Sequence, residues 1–391
     1  WNKHKQSNTP LKRKVFVGMS GGVDSSVSAA LLKKEGHDVT GVFIKTWHPD
    51  FIECSWREDR QDAMRVCALL GISFETCNLE DVYKREVVDY MIREYATGRT
   101  PNPDVMCNQH VKFGAFFNWA REKGADMIAT GHYARIEQSS MPVHKVERYK
   151  VSQEKDQTLY KPDELYKLLT GADGAKDQSY FLWTLTQDIL ARTLFPVGGY
   201  KKTKVREIAT EFALPVAEKK DSQGVCFLGP VDMPEFLKRF VDVLPGNVLD
   251  GMGNVIGTHD GALLYTLGQR HGFHVNAQSP MDAPRYVVQK DMTQNTITVS
   301  STPFSTESFS QRKEVVVSSI HWISGIPPQE NEKISCRFRY RQPLRACRVE
   351  WEGTTDHARV IFNEPQSFVA PGQSLVVYKG EECLGGGVID R

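Results

Sequence analysis

The sequence predicts an α/β protein that begins with a parallel-sheet domain and ends with an all-β domain. Residues 12–134 alternate strand-like and helix-like segments, the pattern of a sheet with helices on both faces. From about residue 216, short apolar runs are separated by Pro-Gly, Asp-Gly and Gly-Asn turns, and residues 312–391 hold only strand-like runs. Such closely spaced turns are typical of small barrels and sandwiches.

The chain of 391 residues is long enough for two or three domains. We expect a basic N-terminal tail at 1–13, a parallel-sheet domain at 14–215, a small α+β or β domain at 216–305 and a C-terminal β-barrel at 306–391. A polar segment at 136–175 predicts an inserted loop or a helical hairpin within the first domain. The tail is either a disordered basic end or the remainder of an organelle-targeting sequence.

Within the first domain the strand candidates are residues 14–18, 39–46, 73–78 and 126–130, and the helix candidates lie near 23–35, 57–70, 81–96 and 109–123. β-Branched and aromatic residues fill the strands, and apolar residues recur at helical spacing between them. Ligands of such sheets bind at the carboxyl ends of the strands. The segments that follow three strands, at 18–26, 44–47 and 130–133, are therefore expected around one crevice.

The segment GMSGGVDSS at residues 18–26 joins the first strand to the first helix. Gly21 and Gly22 permit close backbone approach, and a helix N-terminus attracts anions. Because no Gly-Lys-Ser/Thr closes the loop, it is not a Walker A motif. The expected ligand is ATP, cleaved between its α and β phosphates, and SGGVDSS resembles the PP-loop of ATP pyrophosphatases. A purely structural glycine turn is the alternative.

Two of the eight cysteines stand in segments that favour a reactive thiolate. Cys107 ends the proline-braced segment TPNPDVMCN and is expected to begin a helix, which lowers a thiol pKa, with Asp104 one turn earlier as general acid or base. Lys219, Lys220 and a glycine turn precede Cys226, and local positive charge has the same effect. The alternatives are an idle cysteine at a capped helix and a buried cysteine in a turn. No C-x-x-C pair or disulfide framework is present.

A nucleotide turn and two separate thiols together predict ATP-driven sulfur transfer. ATP would activate a carbonyl oxygen as an adenylate, a cysteine persulfide would deliver sulfur, and the second thiol would break the remaining S–S bond. An amide-forming synthetase that uses ammonia, and a non-catalytic RNA-binding scaffold, are the alternatives. A net charge of +1 excludes a broadly basic coat, so any RNA contact must come from local patches.

One such patch is predicted near the C-terminus. Arg337, Arg339 and Arg341 alternate with Phe338 and Tyr340, which in a strand would place three guanidinium groups on one face. Phosphate binding is the functional interpretation, and a solvated barrel face is the alternative. No apolar run approaches about 18 residues, so no membrane span is expected.

The combined motifs resemble the tRNA-specific 2-thiouridylase family, which converts the wobble uridine of certain tRNAs to 2-thiouridine. The resemblance covers nearly the whole chain and rests on GMSGGVDSS at 18–26, GRTPNPDVMCN at 98–108, ATGHYAR at 129–135, KDQSYFL at 176–182, KKDSQGVCFLG at 219–229, YTLGQR at 265–270, RYRQP at 339–343, PGQS at 371–374 and CLGGG at 383–387. The long segment at 136–175 and residues 168–178 resemble the mitochondrial branch. The implied fold is a PP-loop ATP pyrophosphatase domain (adenine nucleotide α-hydrolase-like), a central domain and a β-barrel.

The resemblance implies roles for individual residues. ATP would bind to Gly18, Met19, Ser20, Gly21, Gly22, Val23, Asp24, Ser25, Ile44 and Gly131. Asn102, Pro103 and Asp104 would meet the target base, Cys107 would be the nucleophile and resolving thiol, and Cys226 would carry the persulfide. The tRNA contacts would be His132, Lys176, Asp177, Gln178, Arg339, Tyr340 and Gln373.

The resemblance also implies cofactors, partners and a location. ATP and Mg²⁺ would be the cofactors, and some family members use the equivalents of Asp104, Cys107 and Cys226 as ligands of a [4Fe-4S] cluster, which the sequence does not distinguish from a redox-active thiol pair. The partners would be tRNAs for Lys, Glu and Gln and a persulfide donor such as a cysteine desulfurase or a relay protein. The location would be the mitochondrial matrix, or the cytoplasm in a bacterium.

Overall fold

The computed structural model describes residues 12–51, 56–139, 165–221, 224–229, 231–276, 283–301, 311–329, 332–351 and 356–390. Its α-helices are, in chain order, α1 (Val23–Lys34), α2 (Trp56–Leu70), α3 (Glu80–Tyr83), α4 (Asp89–Ala96), α5 (Pro103–Met106), α6 (Phe116–Glu122), α7 (Gln187–Ala191), α8 (Lys202–Glu211) and α9 (Met233–Leu237). Wider π-helical turns occupy Lys84–Val88 and Cys107–Ala115, and 3-10 turns occupy Ser179–Phe181 and Ala262–Leu264. None of the helices in the described ranges is long and apolar enough to cross a membrane.

The strands are β1 (Lys14–Gly18), β2 (Asp38–Lys45), β3 (Ser73–Asn78), β4 (Met127–Ala129), β5 (Ala134–Ser139), β6 (Leu165–Thr170), β7 (Thr193–Leu194), β8 (Gly246–Leu249), β9 (Val255–His259), β10 (Phe273–Val275), β11 (Tyr286–Asp291), β12 (Thr296–Ser300), β13 (Gln311–Trp322), β14 (Ile334–Arg337), β15 (Arg345–Trp351), β16 (Ala358–Ser367), β17 (Ser374–Lys379) and β18 (Glu382–Ile389).

The chain divides into two compact units, each made of several stretches. The sheet unit comprises Trp1–Tyr83, Asn108–Ser179 and Leu185–Gln223, and the barrel unit comprises Lys84–Cys107, Tyr180–Thr184 and Gly224–Arg391. The four-segment domain division made from the sequence, including its basic tail at 1–13, stays a prediction. Residues 1–11 of that tail lie outside the described residues.

The sheet unit is built on a five-stranded parallel sheet in the order β3-β2-β1-β4-β7. The central strand β1 is buried on both faces, with Val15 and Val17 at 0% exposure, as expected for a parallel sheet covered on both sides. Chain order runs outward from β1 to β3 and then returns to β4 on the other side of β1. This reversal creates a crevice at the carboxyl ends of β1 and β4, where such sheets bind ligands.

The inserted segment differs from the helical hairpin allowed by its sequence. Its described ends form an antiparallel β-hairpin in which Ala134 pairs with Thr170 and Ser139 pairs with Leu165, whereas residues 140–164 lie outside the described residues. Much of β5 is only partly buried or exposed. One solvated face is ordinary for an antiparallel strand, and it explains why a charge-rich sequence gave no strand signal.

The barrel unit contains two sheets. The first has the order β10-β9-β8-β12-β11. In the second, antiparallel strands run β13-β16-β15-β14-β17-β18, and β13 also pairs with β18, so the sheet closes. Side chains such as Phe338 and Phe362, each 1% exposed, fill this closed barrel, which confirms the predicted C-terminal fold.

Candidate active site

The glycine turn between β1 and α1 is built to leave backbone donors available. Gly22 is the N-cap of α1 and has no side-chain capping bond, so the first N–H groups of the helix can meet a ligand. The Ser25 hydroxyl accepts the Ser20 N–H at 3.2 Å, which fixes the turn from inside. A phosphate fits such a turn because amide donors and the helix dipole both favour negative charge.

Two glycines in this region allow close contact between backbone segments. Gly21 has φ +71°, and a Cβ there would lie 2.2 Å from the Asp59 carbonyl oxygen. A Cβ at Gly131, which follows β4, would lie 2.7 Å from the Ser25 nitrogen. Gly131 therefore lies directly against the first turn of α1, and no larger residue fits without moving backbone.

The remaining predicted ATP residues also gather at this edge of the sheet. Ile44 lies near the end of β2 at 5% exposure, and Met19 follows β1 at 2% exposure. The Ile44 Cδ1 atom is 3.8 Å from the position of a Cβ on Gly18. The structure thus brings Gly18–Ser25, Ile44 and Gly131 together, as the sequence predicted from the three strand ends.

A cluster of charges that the sequence did not reveal surrounds Asp24. The Tyr133 hydroxyl donates to its carboxylate at 2.7 Å, and the Lys202 ammonium donates to both oxygens at 2.8 and 2.9 Å. Lys202 also contacts Asp221 at 2.8 Å. Burial works to raise the pKa of Asp221, but hydrogen bonds from Lys176 and Lys202 lower it to about 2.

The segment that holds Cys107 starts its helix earlier than predicted. Asn102 is the N-cap of α5, its side chain accepts the Val105 N–H at 3.3 Å, and Pro103 occupies the first turn. Cys107 follows α5, and its N–H is bonded to the carbonyls of Pro103 and Asp104. The prediction that Cys107 begins a helix is therefore wrong, because the Asn-Pro pair starts the helix one turn before it.

Asp104 joins the two predicted reactive segments. Its carboxylate accepts the backbone N–H of Cys226 at 2.9 Å. Asp104 and Cys107 are three residues apart on one helical run, and residues at that spacing are neighbours on a helix surface. The bond thus holds the Cys226 backbone against the helical run that contains Cys107, although 122 positions separate Asp104 from Cys226.

The barrel supports the backbone of the proline-rich segment. The Gln373 side chain donates to the carbonyls of Thr100 and Pro101, both at 2.9 Å, and the Thr100 N–H donates to the Pro371 carbonyl at 2.8 Å. Gly372 packs so closely that a Cβ would lie 2.8 Å from the Thr100 oxygen. Gln373, predicted to contact tRNA, therefore uses its amide N–H groups to position the segment before Asn102.

The predicted arginine face does not form. β14 ends at Arg337, which is buried with its guanidinium over the Tyr378 ring, and the following residues turn, so that Arg341 has φ +63°. Arg339 donates to the carbonyls of Leu267 at 2.6 Å and Phe368 at 2.9 Å. The prediction from strand alternation is wrong because β14 stops at Arg337. Of these three arginines only Arg341 is exposed.

Tyr340 lies in an aromatic cluster of the barrel unit. Its ring centroid is 4.6 Å from that of Phe181 and 6.4 Å from that of Tyr180, both at tilted angles, and the Arg341 guanidinium lies 5.1 Å from it. A partly exposed ring beside an exposed guanidinium can receive an unpaired base.

The other predicted tRNA contacts of the sheet unit have internal partners. His132 is 7% exposed, bonds Thr130 at 2.7 Å, and burial holds its pKa well below the usual range. The Asp177 carboxylate accepts the N–H groups of Gly171 and Ser179. Gln178 accepts the Tyr133 N–H at 2.9 Å, and Lys176 contacts Asp221 at 2.7 Å. As placed, Lys176, Asp177 and Gln178 organise the segment after β6, and His132 bonds within the segment after β4.

The positive charge predicted beside Cys226 is already compensated in part. The Lys219 ammonium lies 2.7 Å from both Asp59 and Asp62, so it is not available to stabilise a thiolate. Thiols elsewhere are made unreactive by their surroundings, since burial raises the pKa of Cys67 to about 11 and that of Cys77 to about 12.

The proposed cluster ligands do not fit a metal as placed. One Asp104 oxygen is occupied by the Cys226 N–H, and Cys107 is 0% exposed. Among the described residues, no group of three or more His, Cys, Asp or Glu side chains is arranged to hold a metal ion. We therefore derive no step through an iron–sulfur cluster.

Three family models match successive parts of the chain: the tRNA methyl transferase HUP domain over residues 13–230, the tRNA methyl transferase PRC-barrel domain over 234–301 and the aminomethyltransferase β-barrel domain over 312–389. The tRNA-specific 2-thiouridylase MnmA of Shewanella pealeana is 44% identical over 386 residues, which cover 98% of this chain and 97% of the relative. That of Streptococcus mutans is 42% identical and covers 97% and 96%.

The chain belongs to the tRNA-specific 2-thiouridylase family. Membership in this 2-thiouridylase family confirms the predicted three-part fold and does not favour the amide-forming synthetase. The relatives named above are bacterial, so they do not confirm the mitochondrial branch. A solved complex of a 4-thiouridine synthetase with RNA and bound ATP is 17% identical, with a TM-score of 0.32 over 58% of this chain and 50% of that chain, too low a similarity to carry an argument.

Proposed function

We propose that this protein is a tRNA-uridine 2-sulfurtransferase. It adenylates the C2 carbonyl oxygen of the wobble uridine with ATP and replaces that oxygen with sulfur from a cysteine persulfide, giving 2-thiouridine. The observation that carries the proposal is the hydrogen bond from the Cys226 N–H to Asp104, because it holds the two thiol segments together. A synthetase that uses ammonia would have no need of this arrangement.

The sheet unit binds ATP at the turn of residues 18–25, with Ile44 and Gly131 completing the site. Amide N–H groups at the start of α1 face the phosphates. Asp24 is a partly exposed carboxylate in the same turn, and carboxylate and phosphate oxygens are the ligands that Mg²⁺ prefers. Bound there, Mg²⁺ would offset negative charge on the departing pyrophosphate.

The barrel unit supplies the sulfur chemistry. Cys226 carries the persulfide, whose terminal sulfur attacks C2 of the adenylated uridine as AMP leaves. The Cys107 thiolate then attacks the Cys226 sulfur, so the S–S bond to the transferred sulfur breaks, C2 keeps the sulfur, and a Cys107–Cys226 disulfide forms. An external dithiol reduces that disulfide. Asn102, Pro103 and Asp104 contact the extruded base.

The partners follow from this reaction. The substrates are tRNAs for Lys, Glu and Gln, contacted at Tyr340, Arg339, Gln373, His132 and residues 176–178. The sulfur donor is a cysteine desulfurase or a relay protein that loads Cys226. We place the protein in the mitochondrial matrix, and a fluorescent fusion of the full-length chain found in the cytoplasm would contradict this placement.

The decisive experiment is mass spectrometry of tRNA after incubation with ATP, Mg²⁺ and a persulfide source. The wobble base should gain the mass of one oxygen-to-sulfur exchange. Cys226→Ser should abolish the gain and still release pyrophosphate, whereas Cys347→Ser, at a buried thiol on barrel strand β15, should behave as wild type. No gain with a functioning sulfur supply, or an undiminished gain in Cys226→Ser, would overturn the proposal.

A further inference from the structure

The nucleotide turn contains one acidic residue and no basic residue within residues 18–26. A lysine from 178 positions further along the chain reaches that acid: Lys202 Nζ lies 2.8 and 2.9 Å from the two oxygens of Asp24. Lys202 is the first residue of α8, and its backbone N–H donates to Asp173 at 3.0 Å. The backbone from which this side chain extends is therefore fixed, and its ammonium is directed at the turn.

The ammonium of Lys202 is shared between two carboxylates. It also lies 2.8 Å from Asp221, which Lys176 contacts at 2.7 Å and Arg206 at 2.9 Å. The ion-paired groups are therefore three cations and two carboxylates, and a third carboxylate, Asp173, lies against the Lys202 backbone N–H. Asp221 keeps two cationic partners, Lys176 and Arg206, if Lys202 moves away, so Lys202 can change partners without leaving the half-buried Asp221 carboxylate uncompensated.

Only 12% of the Lys202 side-chain surface is exposed, so its charge requires an anionic partner at all times. Mg²⁺ bound with a polyphosphate takes carboxylate oxygens and would take Asp24 from Lys202. The phosphate oxygens beside the turn are then the replacement partner, and lysine binds phosphate as a compact point charge.

Building on the proposed function, we propose that Lys202 is the phosphate-binding lysine for ATP and contacts the pyrophosphate part. It supplies from a separate helix the cation that a Walker A loop carries within its own sequence. In the absence of nucleotide, Asp24 and Asp221 hold the ammonium in place.

The test compares the affinities of Mg·ATP and AMP by calorimetry. Lys202→Met should weaken ATP binding by about 10- to 100-fold, the range for loss of a hydrogen bond to a charged group, with AMP affinity within twofold of wild type. Lys202→Arg should restore part of the loss. Lys204→Met is the matched control, because Lys204 is on the same helix and pairs only with exposed Glu207 and Glu211 among the described ion pairs.

A second variant separates phosphate binding from a structural ion pair. Asp221→Asn removes the other partner of Lys202 and should leave ATP affinity at least as high as in wild type. If Lys202 were only structural, Asp221→Asn and Lys202→Met would both weaken ATP and AMP to the same degree, and this result would overturn the inference. Unchanged ATP affinity in Lys202→Met would overturn it as well.

These outcomes are distinct from failure of the proposed function. A wild-type protein that converts tRNA while Lys202→Met still binds ATP normally would remove only the inference about Lys202. A wild-type protein that binds ATP through Lys202 and never thiolates tRNA would remove only the proposed function.

Discussion

The bond between Asp104 and the Cys226 N–H is the most informative contact to perturb. Asp104→Ala removes the acceptor, so residues 224–229 lose a hydrogen bond to the helical run that contains Asp104 and Cys107. Asp104→Asn keeps an oxygen in the same place and removes only the charge. The pair of variants therefore separates the hydrogen bond from its electrostatic reinforcement.

The size of the effect follows from the geometry. A hydrogen bond to a charged group contributes about 1.5–3 kcal/mol, and the lower half applies because Asp104 is only partly buried. About 1.5–2 kcal/mol corresponds to a drop of about 10- to 30-fold in the effective concentration of the Cys226 thiol at Cys107. A neutral acceptor retains about half of the energy, so Asp104→Asn should lower this effective concentration by about 3- to 5-fold.

The assay is the equilibrium of the Cys107–Cys226 disulfide in glutathione buffers, read by peptide mass spectrometry. Asp291→Ala serves as control, because Asp291 also accepts backbone N–H groups in the barrel unit, from Thr293 at 2.9 Å and Gln294 at 2.8 Å, and is remote in sequence from both thiols. The reasoning is refuted if Asp104→Ala stays within twofold of wild type, or shifts the equilibrium no more than Asp291→Ala does.

Three further predictions concern pH, salt and nucleotide affinity. Burial lowers the pKa of Lys290 from 10.5 to about 8. Between these pH values the folded state binds fewer protons than the unfolded state, so the free energy of unfolding should rise with pH from about 8 to 10.5. Urea titrations should show this rise in wild type and not in Lys290→Met. The double variant Arg341→Ala, Arg345→Ala should flatten the salt dependence of tRNA binding by about one to two in log–log slope, and an unchanged slope would exclude these side chains from phosphate contact. Gly131→Ala should weaken ATP binding at least about tenfold, measured by calorimetry, because the added Cβ would overlap the first turn of α1. Gly199→Ala, where nothing lies within 4 Å of the added Cβ, should bind ATP as wild type does. Equal ATP affinities of Gly131→Ala and wild type would contradict the packing at Gly131.

The sequence predicted what local patterns determine. The alternation of strand-like and helix-like patterns of apolar residues predicts the parallel sheet, and the glycines after β1 predict the turn at residues 18–26. Both predictions succeed because strands, turns and helices are each marked by residues close together in the sequence. The start of α5 could also be predicted from the sequence, because Asn is a preferred N-cap residue and Pro is a preferred first residue of a helix. Reading that pair would have placed Cys107 after the first helical turn.

What the sequence did not reveal depends on partners far along the chain. Lys202 meets Asp24 across 178 positions, and Arg339 meets the Leu267 carbonyl across 72. No local sequence pattern indicates which distant residues will pair. The sequence alone therefore does not distinguish an arginine that bonds backbone carbonyls from one that binds a phosphate. The alternation at Arg337, Arg339 and Arg341 therefore predicts an exposed face that the structure does not form.

The ties between residues 99–101 and residues 371–390 also have a consequence for biosynthesis. Arg99 donates to the carbonyls of Ile389 and Asp390, and Thr100 bonds to Pro371, so a segment made early depends on one made almost 300 residues later. A nascent chain on the ribosome that does not yet include residues 371–390 lacks the contacts that hold Arg99 and Thr100, which come just before Asn102 and Pro103. The segment that leads into Asn102 and Pro103 therefore gains its supports only after residues 371–390 have been synthesised.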